Sequence, residues 1–339
     1  MPSFKSRFLN SLFCYWTLGA VIEFVKLLPL SLSLRVTSFL ARVIPYIVPK
    51  DVQVATEQIK FACAKSEIPS SSRISKLSND AEMGRFISDM FANTGRTVVE
   101  SLCADSLLEK SLGKNPKYGI SCQEDSDVVN ILNEKKPLIV LCSHLGCFEL
   151  LAAYYAIYRK VNLTVMARKP NYKSIDKFIR LNRASNNFET LWREDKNSTS
   201  GLLGAIKNKK VIAALIDQDI NLENEFVPFF GHPAAYPVGL VKLAVRFSLP
   251  IASAFIIRTG SHYHISVNLI NYCPDCKDVY KQVLTEYSVR LESLIKQYPD
   301  QWVWWHKRWR REPGINYVKN PERLKSRVEY VKWLKSTRG

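Results

Sequence analysis

The pattern of apolar and polar positions changes its period along the chain. Between residues 51 and 110, apolar side chains recur every three or four positions, as in QVATEQIKFACAK, which predicts amphipathic helices. From residue 136 onward, short runs rich in branched apolar residues alternate with longer amphipathic stretches. The short runs are typical of buried parallel strands, and the stretches between them are typical of helices.

The order of these predicted elements indicates an α/β fold with a mixed, largely parallel central sheet flanked by helices. Strands are predicted at 136–144, 161–168, 188–193, 211–219, 250–258 and 262–270. Helices are predicted at 146–160, 174–186, 198–210, 237–249 and 279–300. The last two strands are separated only by TGS, which predicts an antiparallel hairpin. The segment FVPFFGHPAAYP (226–237) has no periodicity, and we expect an apolar loop that lines a pocket or makes a membrane contact.

The first 50 residues form two apolar stretches with cations at their flanks. Lys5 and Arg7 precede an apolar run over 8–22, which is shorter than the roughly 20 residues needed to span a bilayer. A second stretch, 27–48, carries arginines at wide helical spacing. Two oblique or interfacial membrane helices fit this pattern, and a pair of buried bundle helices is the alternative. We therefore expect a hydrophobic membrane-anchoring helical segment at 1–50 and the α/β domain at 51–339.

The charge of the chain favours an anionic partner. Lys and Arg number 48 against 31 acidic residues, which gives a net charge of +17. Nucleic acid, an anionic membrane or an acidic protein would each suit such a surface. The eight cysteines follow no regular framework, so we expect reduced thiols.

Candidate catalytic residues lie where predicted strands end. His144 and Glu149 follow the strand 136–144, and Arg168, Asp217 and Asp219 end two later strands. Because ligands bind beside the carboxyl ends of parallel strands, we expect these side chains to lie together. His144 and Glu149 are five residues apart. This spacing fits a general base in the loop after the strand and a carboxylate in the first turn of the following helix, where the carboxylate would orient the base. Arg168 would bind a phosphate or stabilise an oxyanion.

Three other patterns offer alternative chemistry. Cys142 and Cys147 flank His144, which leaves a thiol nucleophile open. HYH (262–264) and CPDC (273–276) together would make a zinc site, although one CxxC pair is a weak signal. QWVWWHKRWRR (301–311) is dense in Trp and cations and would stack bases, lie against lipid headgroups or cover an acyl channel.

The ordered set of motifs resembles the late lipid A acyltransferases, the lauroyl/myristoyl branch of the His-x4-Asp/Glu glycerolipid acyltransferase superfamily. HLGCFE, ARKPN, DQD, FVPFFGHPAAYPVG and QWVWWHKRW occur here in that family's order. The resemblance covers about residues 85–312 and extends to the hydrophobic start of the chain.

The resemblance implies transfer of an acyl chain from acyl-carrier protein, or acyl-CoA, to a hydroxyl of a lipid A precursor at the cytoplasmic face of the bacterial inner membrane. His144 would then be the general base and Glu149 its orienting carboxylate. Arg168, Asp217 and Asp219, together with His306 and Arg308 of the Trp-rich segment, would bind substrate or shape the site. No cofactor and no metal is implied.

Two further classes remain open from the residues alone. Acyltransferases of other glycolipids, such as phosphatidylinositol mannosides, share the core pattern. A basic membrane-associated nucleic-acid-binding protein would use the same charge and Trp residues, but it leaves the residues at the strand ends without a role, so we expect no nucleic-acid partner.

Overall fold

The computed structural model describes residues 12–113, 118–315, 317 and 319–337. Lys5 and Arg7 lie outside these residues. The helices are α1 (Leu12–Leu27), α2 (Leu30–Ala41), α3 (Ile44–Ile47), α4 (Pro49–Lys65), α5 (Asp80–Leu102), α6 (Ala104–Ser111), α7 (Ser126–Asn133), α8 (Phe148–Ala153), α9 (Lys173–Ser185), α10 (Ser198–Lys207), α11 (Gly239–Arg246), α12 (Val279–Gln297) and α13 (Arg327–Ser336). The strands are β1 (Gly119–Glu124), β2 (Leu138–Cys142), β3 (Leu163–Ala167), β4 (Glu189–Trp192), β5 (Val211–Leu215), β6 (Asn224–Phe229), β7 (His232–Pro237), β8 (Ile251–Thr259) and β9 (His262–Ile270).

Seven strands form the central sheet in the order β1-β9-β8-β2-β5-β3-β4. The five strands from β8 to β4 are parallel, whereas β9 pairs antiparallel with β8 and β1 runs parallel to β9. The predicted mixed, largely parallel sheet and its late hairpin are therefore confirmed. The sequence pattern did not predict β1 or α7, which are short and only partly buried.

Successive residues of each central strand face opposite sides of the sheet, so the sheet separates two apolar layers. Ile139 and Leu141 of β2 pack with α4, α5, α11 and α12 on one side. Leu138, Val140 and Cys142 face the other side, which α6, α7 and α8 cover. β2 is buried along its whole length, which explains why its sequence is continuously apolar.

The N-terminal helices combine a packed face with an exposed apolar face. Among the described residues, one segment, Leu30–Ile47, is long and apolar enough to cross a membrane by length and composition, and 22% of it is buried. Its inner face packs on α5, where Gly95 permits close contact: a Cβ there would lie 2.6 Å from Ala41 Cβ and 2.8 Å from the Thr37 carbonyl oxygen. Its outer face leaves Phe39 and Tyr46 68% and 85% exposed.

The segment predicted as an apolar loop is a β-hairpin, so that prediction was wrong. β6 and β7 pair antiparallel around Phe230 and Gly231, which both have positive φ, 50° and 70°. A two-residue turn with this geometry matches the twist of the strands. The hairpin packs on α12, where the Tyr236 hydroxyl lies 3.0 Å from Ser288 Oγ in the interior. Phe229, Phe230 and Tyr236 are therefore part of the core.

Candidate active site

The turn after β2 places His144 at the carboxyl edge of the sheet. Gly146 has a φ of +60°, and a Cβ at that position would lie 2.1 Å from the Ile256 carbonyl oxygen. Only glycine fits this combination of left-handed backbone and close approach. Leu145 pairs with Trp302, and the Gly146 amide donates to the Gln301 carbonyl over 3.0 Å. The turn is therefore held by one distant segment of the chain, residues 301–302.

Asp217, which follows β5, is the hydrogen-bond partner of His144. The His144 ring nitrogen Nδ1 lies 2.8 Å from Asp217 Oδ1, and the His144 backbone amide donates to Oδ2 over 2.9 Å. The Trp302 indole also donates to Oδ2, over 2.8 Å. Burial favours the neutral form of Asp217, but His144 and Trp302 outweigh it and lower the pKa of this carboxyl below its usual value. An ionised Asp217 fixes the proton of His144 on Nδ1 and leaves Nε2 as the acceptor.

Glu149 makes a different contact from the one expected. It lies in the first turn of α8, as predicted, but its carboxylate accepts from Arg183 of α9, at 2.5 Å from Nη2 and 3.1 Å from Nε. Among the described residues it makes no hydrogen bond with His144. Arg183 is buried and also donates to Thr190 Oγ1 over 3.2 Å. The orienting carboxylate is therefore Asp217, and Glu149 forms a bidentate ion pair beside it.

Three cavities meet at this pair. A narrow apolar cavity with a volume of about 60 Å³ extends between the sheet and α8, below Phe148. A second cavity of about 360 Å³ opens between α5 and α9, and a third of about 840 Å³ opens over the ends of β3 and β5. Glu149 and Arg183 line all three cavities, and His144 lines the two open ones. The rest of a substrate whose reacting group lies at His144 could therefore extend into the apolar cavity or into either of the two open cavities.

The other predicted site residues divide between the large cavity and the interior. Arg168 and His306 line the large cavity, and within the described chain Arg168 has no hydrogen-bonded or ionic partner. Burial and the nearby His144 lower the pKa of His306 to about 3, which keeps it neutral. Asp219 also reaches this cavity, but its carboxylate binds the Arg311 backbone amide over 3.1 Å. Burial raises the pKa of Asp219 above its usual value, because it outweighs the opposite effect of the positive charge of Arg311.

Arg308 does not face a cavity. It is completely buried, its Nη1 donates to the Ala235 carbonyl over 2.6 Å, and its guanidinium lies 4.0 Å from the centre of the Tyr236 ring. The structure therefore gives no support to its predicted role in substrate binding, which stays a prediction. The guanidinium is held against the β6–β7 hairpin by an aromatic ring and a carbonyl, and a substrate has no path to it.

The Trp-rich segment is largely interior, which contradicts its interpretation as a surface for bases or headgroups. Trp302, Trp304 and Trp309 are each at most 2% exposed. Trp302 and Trp304 meet edge to face with their ring centres 4.8 Å apart. The segment therefore builds the core beneath the site, and it also contributes the Trp302 indole, His306 and Arg310 to the site itself.

The alternative chemistries find little support in the geometry. Cys142 and Cys147 are buried, and burial raises the pKa of Cys142 to about 12 and that of Cys147 well above its usual value, so both stay as neutral thiols. The ring nitrogens of His264 contact Ser121 and Thr259 at 2.8 and 2.7 Å. Across the described ranges no group of three or more metal-ligating side chains comes together. The seven described cysteines are free thiols.

The residue that sequence reasoning missed is Arg183. It lies 34 positions after Glu149, inside the basic helix KSIDKFIRLNRAS, where nothing distinguishes it from its neighbours. Only the structure distinguishes it, since there it is buried on the inner face of α9 against Phe188 and Trp192. Its carboxylate partner could be identified only from the packing of α9 against α8.

The fold and the site define an α/β protein in which a carboxylate-oriented histidine lines two open cavities, and these cavities share Glu149 and Arg183 with an apolar cavity. This arrangement suits the transfer of a long apolar group to a hydroxyl. The chain belongs to the bacterial lipid A biosynthesis acyltransferase family, whose sequence model matches residues 1–311. Comparison with curated proteins gives no significant match.

Proposed function

We propose that this protein transfers a fatty acyl chain from an acyl-carrier thioester, on acyl-carrier protein or coenzyme A, to a hydroxyl of a lipid A precursor. One observation carries the proposal: His144, oriented by the buried Asp217, lines the two open cavities, and these meet the apolar cavity at Glu149 and Arg183. An acyl chain would occupy the apolar cavity. Its thioester carbon would then lie near the Glu149–Arg183 rim, within reach of a hydroxyl held at His144.

The proposed reaction is a direct transfer in which His144 moves one proton. Nε2 takes the proton of the acceptor hydroxyl as the oxygen attacks the thioester carbonyl, and Asp217 stabilises the imidazolium that forms. The tetrahedral intermediate collapses, the carbon–sulfur bond breaks, and the imidazolium returns its proton to the departing thiolate. The products are an ester and a free thiol, and the step needs neither metal nor cofactor.

The charge around the large cavity supports an anionic acceptor and an acidic donor protein. Arg168, Arg193 and Arg310 line this cavity. Arg193 and Arg310 have carboxylate neighbours in Glu194 and Asp219, whereas the cation of Arg168 is left for a ligand phosphate. The net charge of +17 suits both partners.

The exposed apolar face of α2 and α3 supports membrane association at the cytoplasmic face of the inner membrane. Phe39, Leu40, Tyr46 and Ile47 are all more than half exposed, and Arg35 and Arg42 lie among them. Side chains of this kind insert at the boundary between headgroups and acyl chains.

The test is acyl transfer by the purified protein, with acyl-carrier protein thioesters as donor and a defined lipid A precursor as acceptor, followed by mass spectrometry of the product. The wild type should add one acyl group, and His144→Ala should lose roughly 10²- to 10⁴-fold in turnover. The matched control is His262→Ala, an exposed histidine on β9. Equal turnover in the His144 variant, or no transfer by the wild type, would reject the proposal.

A further inference from the structure

The apolar cavity has a defined length, because it follows the strands from one edge of the sheet to the other. Its floor consists of alternate residues of β2 and β5, from Cys142 and Leu215 near the site to Leu138 and Val211 at the opposite edge. At a rise of about 3.3 Å per residue, Leu138 to Cys142 spans about 13 Å. With single bonds of about 1.5 Å along a zigzag, this is the length of an extended chain of about ten carbons.

Tyr155 closes the far end of the cavity. It lies on a π-helical turn, Tyr154–Tyr158, that continues α8 away from the site, and its ring lines the cavity. The Val161 amide, two residues before β3 begins at the edge of the sheet opposite to His144, donates to the Tyr155 carbonyl over 2.9 Å, which places Tyr155 at that edge. The Tyr155 hydroxyl donates to Glu124 Oε1 over 2.7 Å.

The position of this ring is fixed by a partly buried ion pair. Arg159, one turn after Tyr155, pairs with the second oxygen of Glu124. Glu124 has only 8% of its side chain exposed, and Arg159 and the Tyr155 phenol each contact one of its carboxylate oxygens. Burial raises the pKa of Tyr155, so the phenol keeps its proton and remains a donor. A ring anchored by a charged acceptor resists displacement more than a ring held by apolar contacts alone.

We propose that Tyr155, held by Glu124 and Arg159, sets the upper limit on the length of the acyl chain that the enzyme transfers. This inference rests on the proposed function, since it assigns the apolar cavity to the acyl chain. Chains that end before the ring gain contact with each added carbon. Chains that reach the ring must displace it or leave their thioester short of His144.

The experiment measures kcat/KM for saturated acyl-carrier protein thioesters from 8 to 18 carbons, with one lipid A precursor as acceptor. For the wild type, kcat/KM should rise roughly fourfold per methylene up to the limit and then fall. Tyr155→Ala should move the limit upward by about four carbons, the length of the ring that it removes. The matched control is Tyr158→Ala, a half-exposed tyrosine on the same turn, which should keep the wild-type limit.

A second variant changes the cavity without touching Tyr155. Ala213 lies midway along the floor, in register with Val140 and Val165 on its two neighbouring strands. Ala213→Phe should obstruct the cavity halfway and lower the limit. The inference is overturned if active Tyr155→Ala enzyme keeps the wild-type limit, or if Tyr155→Ala does not fold and Ala213→Phe leaves the profile unchanged. Absence of transfer by the wild type at every chain length would instead reject the proposed function.

Discussion

Replacing Asp217 by Asn tests the site most directly, because it keeps the shape and changes one charge. Asp217 accepts three hydrogen bonds: Oδ1 from His144 Nδ1, and Oδ2 from the His144 amide and the Trp302 indole. An asparagine has one acceptor oxygen. At the Oδ2 position that oxygen can accept from two N–H groups, whereas at the Oδ1 position it could accept from one. The side-chain amide should therefore place its oxygen at the Oδ2 position and its NH₂ group towards His144 Nδ1.

This orientation would reverse the tautomer of His144. With a donor opposite it, Nδ1 must accept, and the ring proton moves to Nε2, the nitrogen that has to receive the hydroxyl proton. Turnover should fall by roughly 10³- to 10⁴-fold, the loss seen when the carboxylate of a catalytic triad becomes an amide. The larger figure corresponds to about 5.5 kcal/mol of barrier height. Affinity for the acceptor should change little, because the interaction strengthens only as the imidazole gains charge.

The assay is turnover as a function of pH, with Glu149→Gln as the comparator. Without the Asp217 anion the protonated imidazole is less favourable, so the acid limb of the Asp217→Asn profile should move to lower pH beneath a reduced plateau. Glu149 pairs with Arg183 instead, so Glu149→Gln should lower the plateau and leave the acid limb in place.

The opposite pattern would refute this reasoning. If Glu149→Gln moved the acid limb while Asp217→Asn retained more than about a tenth of wild-type turnover, Glu149 would be the orienting carboxylate that the five-residue spacing first suggested. Far-ultraviolet circular dichroism of each variant establishes that the fold is retained.

Three further measurements examine other features. The pKa of His306 is lowered to about 3, so the folded protein binds fewer protons than the unfolded chain below pH 6.5. Unfolding in urea at pH 7 and 5 should therefore show a loss of roughly 2 kcal/mol, which His306→Gln should remove; an equal loss in the variant would contradict it. On α5, Gly84→Ala, with nothing within 4 Å of the new Cβ, should stabilise by about 1 kcal/mol, whereas Gly95→Ala should destabilise by roughly 1–3 kcal/mol. Equal shifts in the two melting temperatures would show that the α2–α5 contact is not tight. Finally, Phe39→Glu should weaken sedimentation with anionic vesicles, and Val328→Glu, at a 65% exposed position on α13, should not; similar binding by both would argue against the α2 face.

The architecture was predictable because strand periodicity and burial act locally. β2 reads as a buried strand from its own residues, and the parallel arrangement then brings the ends of β2, β3 and β5 to one edge. His144, Arg168 and Asp217 follow from that rule alone. The hydrogen-bond partner of His144 was not predicted correctly. Spacing along the chain favoured Glu149, whereas the partner is Asp217, which lies 73 positions away at the end of the neighbouring strand β5.

Other errors have a common physical origin in burial that local sequence does not reveal. The β6–β7 turn has Phe230 where a hairpin would ordinarily have asparagine or glycine, so the sequence did not indicate a hairpin turn at this position. Arg308 and the tryptophans resemble a surface cluster, yet they lie in the core because aromatic faces and carbonyls surround the cation. The inward direction of Arg183 depends on how α9 packs, which no periodicity encodes.

The hydrogen bond from Trp302 to Asp217 has a consequence for the order in which the protein is made. The site is complete only when residues 144, 217 and 302 have all left the ribosome, whereas the exposed apolar helices end at Ile47. About 250 residues separate these events, which at about 5–20 residues per second takes roughly 10 to 50 s. The N-terminal helices can therefore reach a membrane long before a base exists. A nascent chain that carries the apolar cavity but lacks residue 302 has an incomplete site, so under the proposed function acyl transfer would begin only after the N-terminal helices could have reached a membrane.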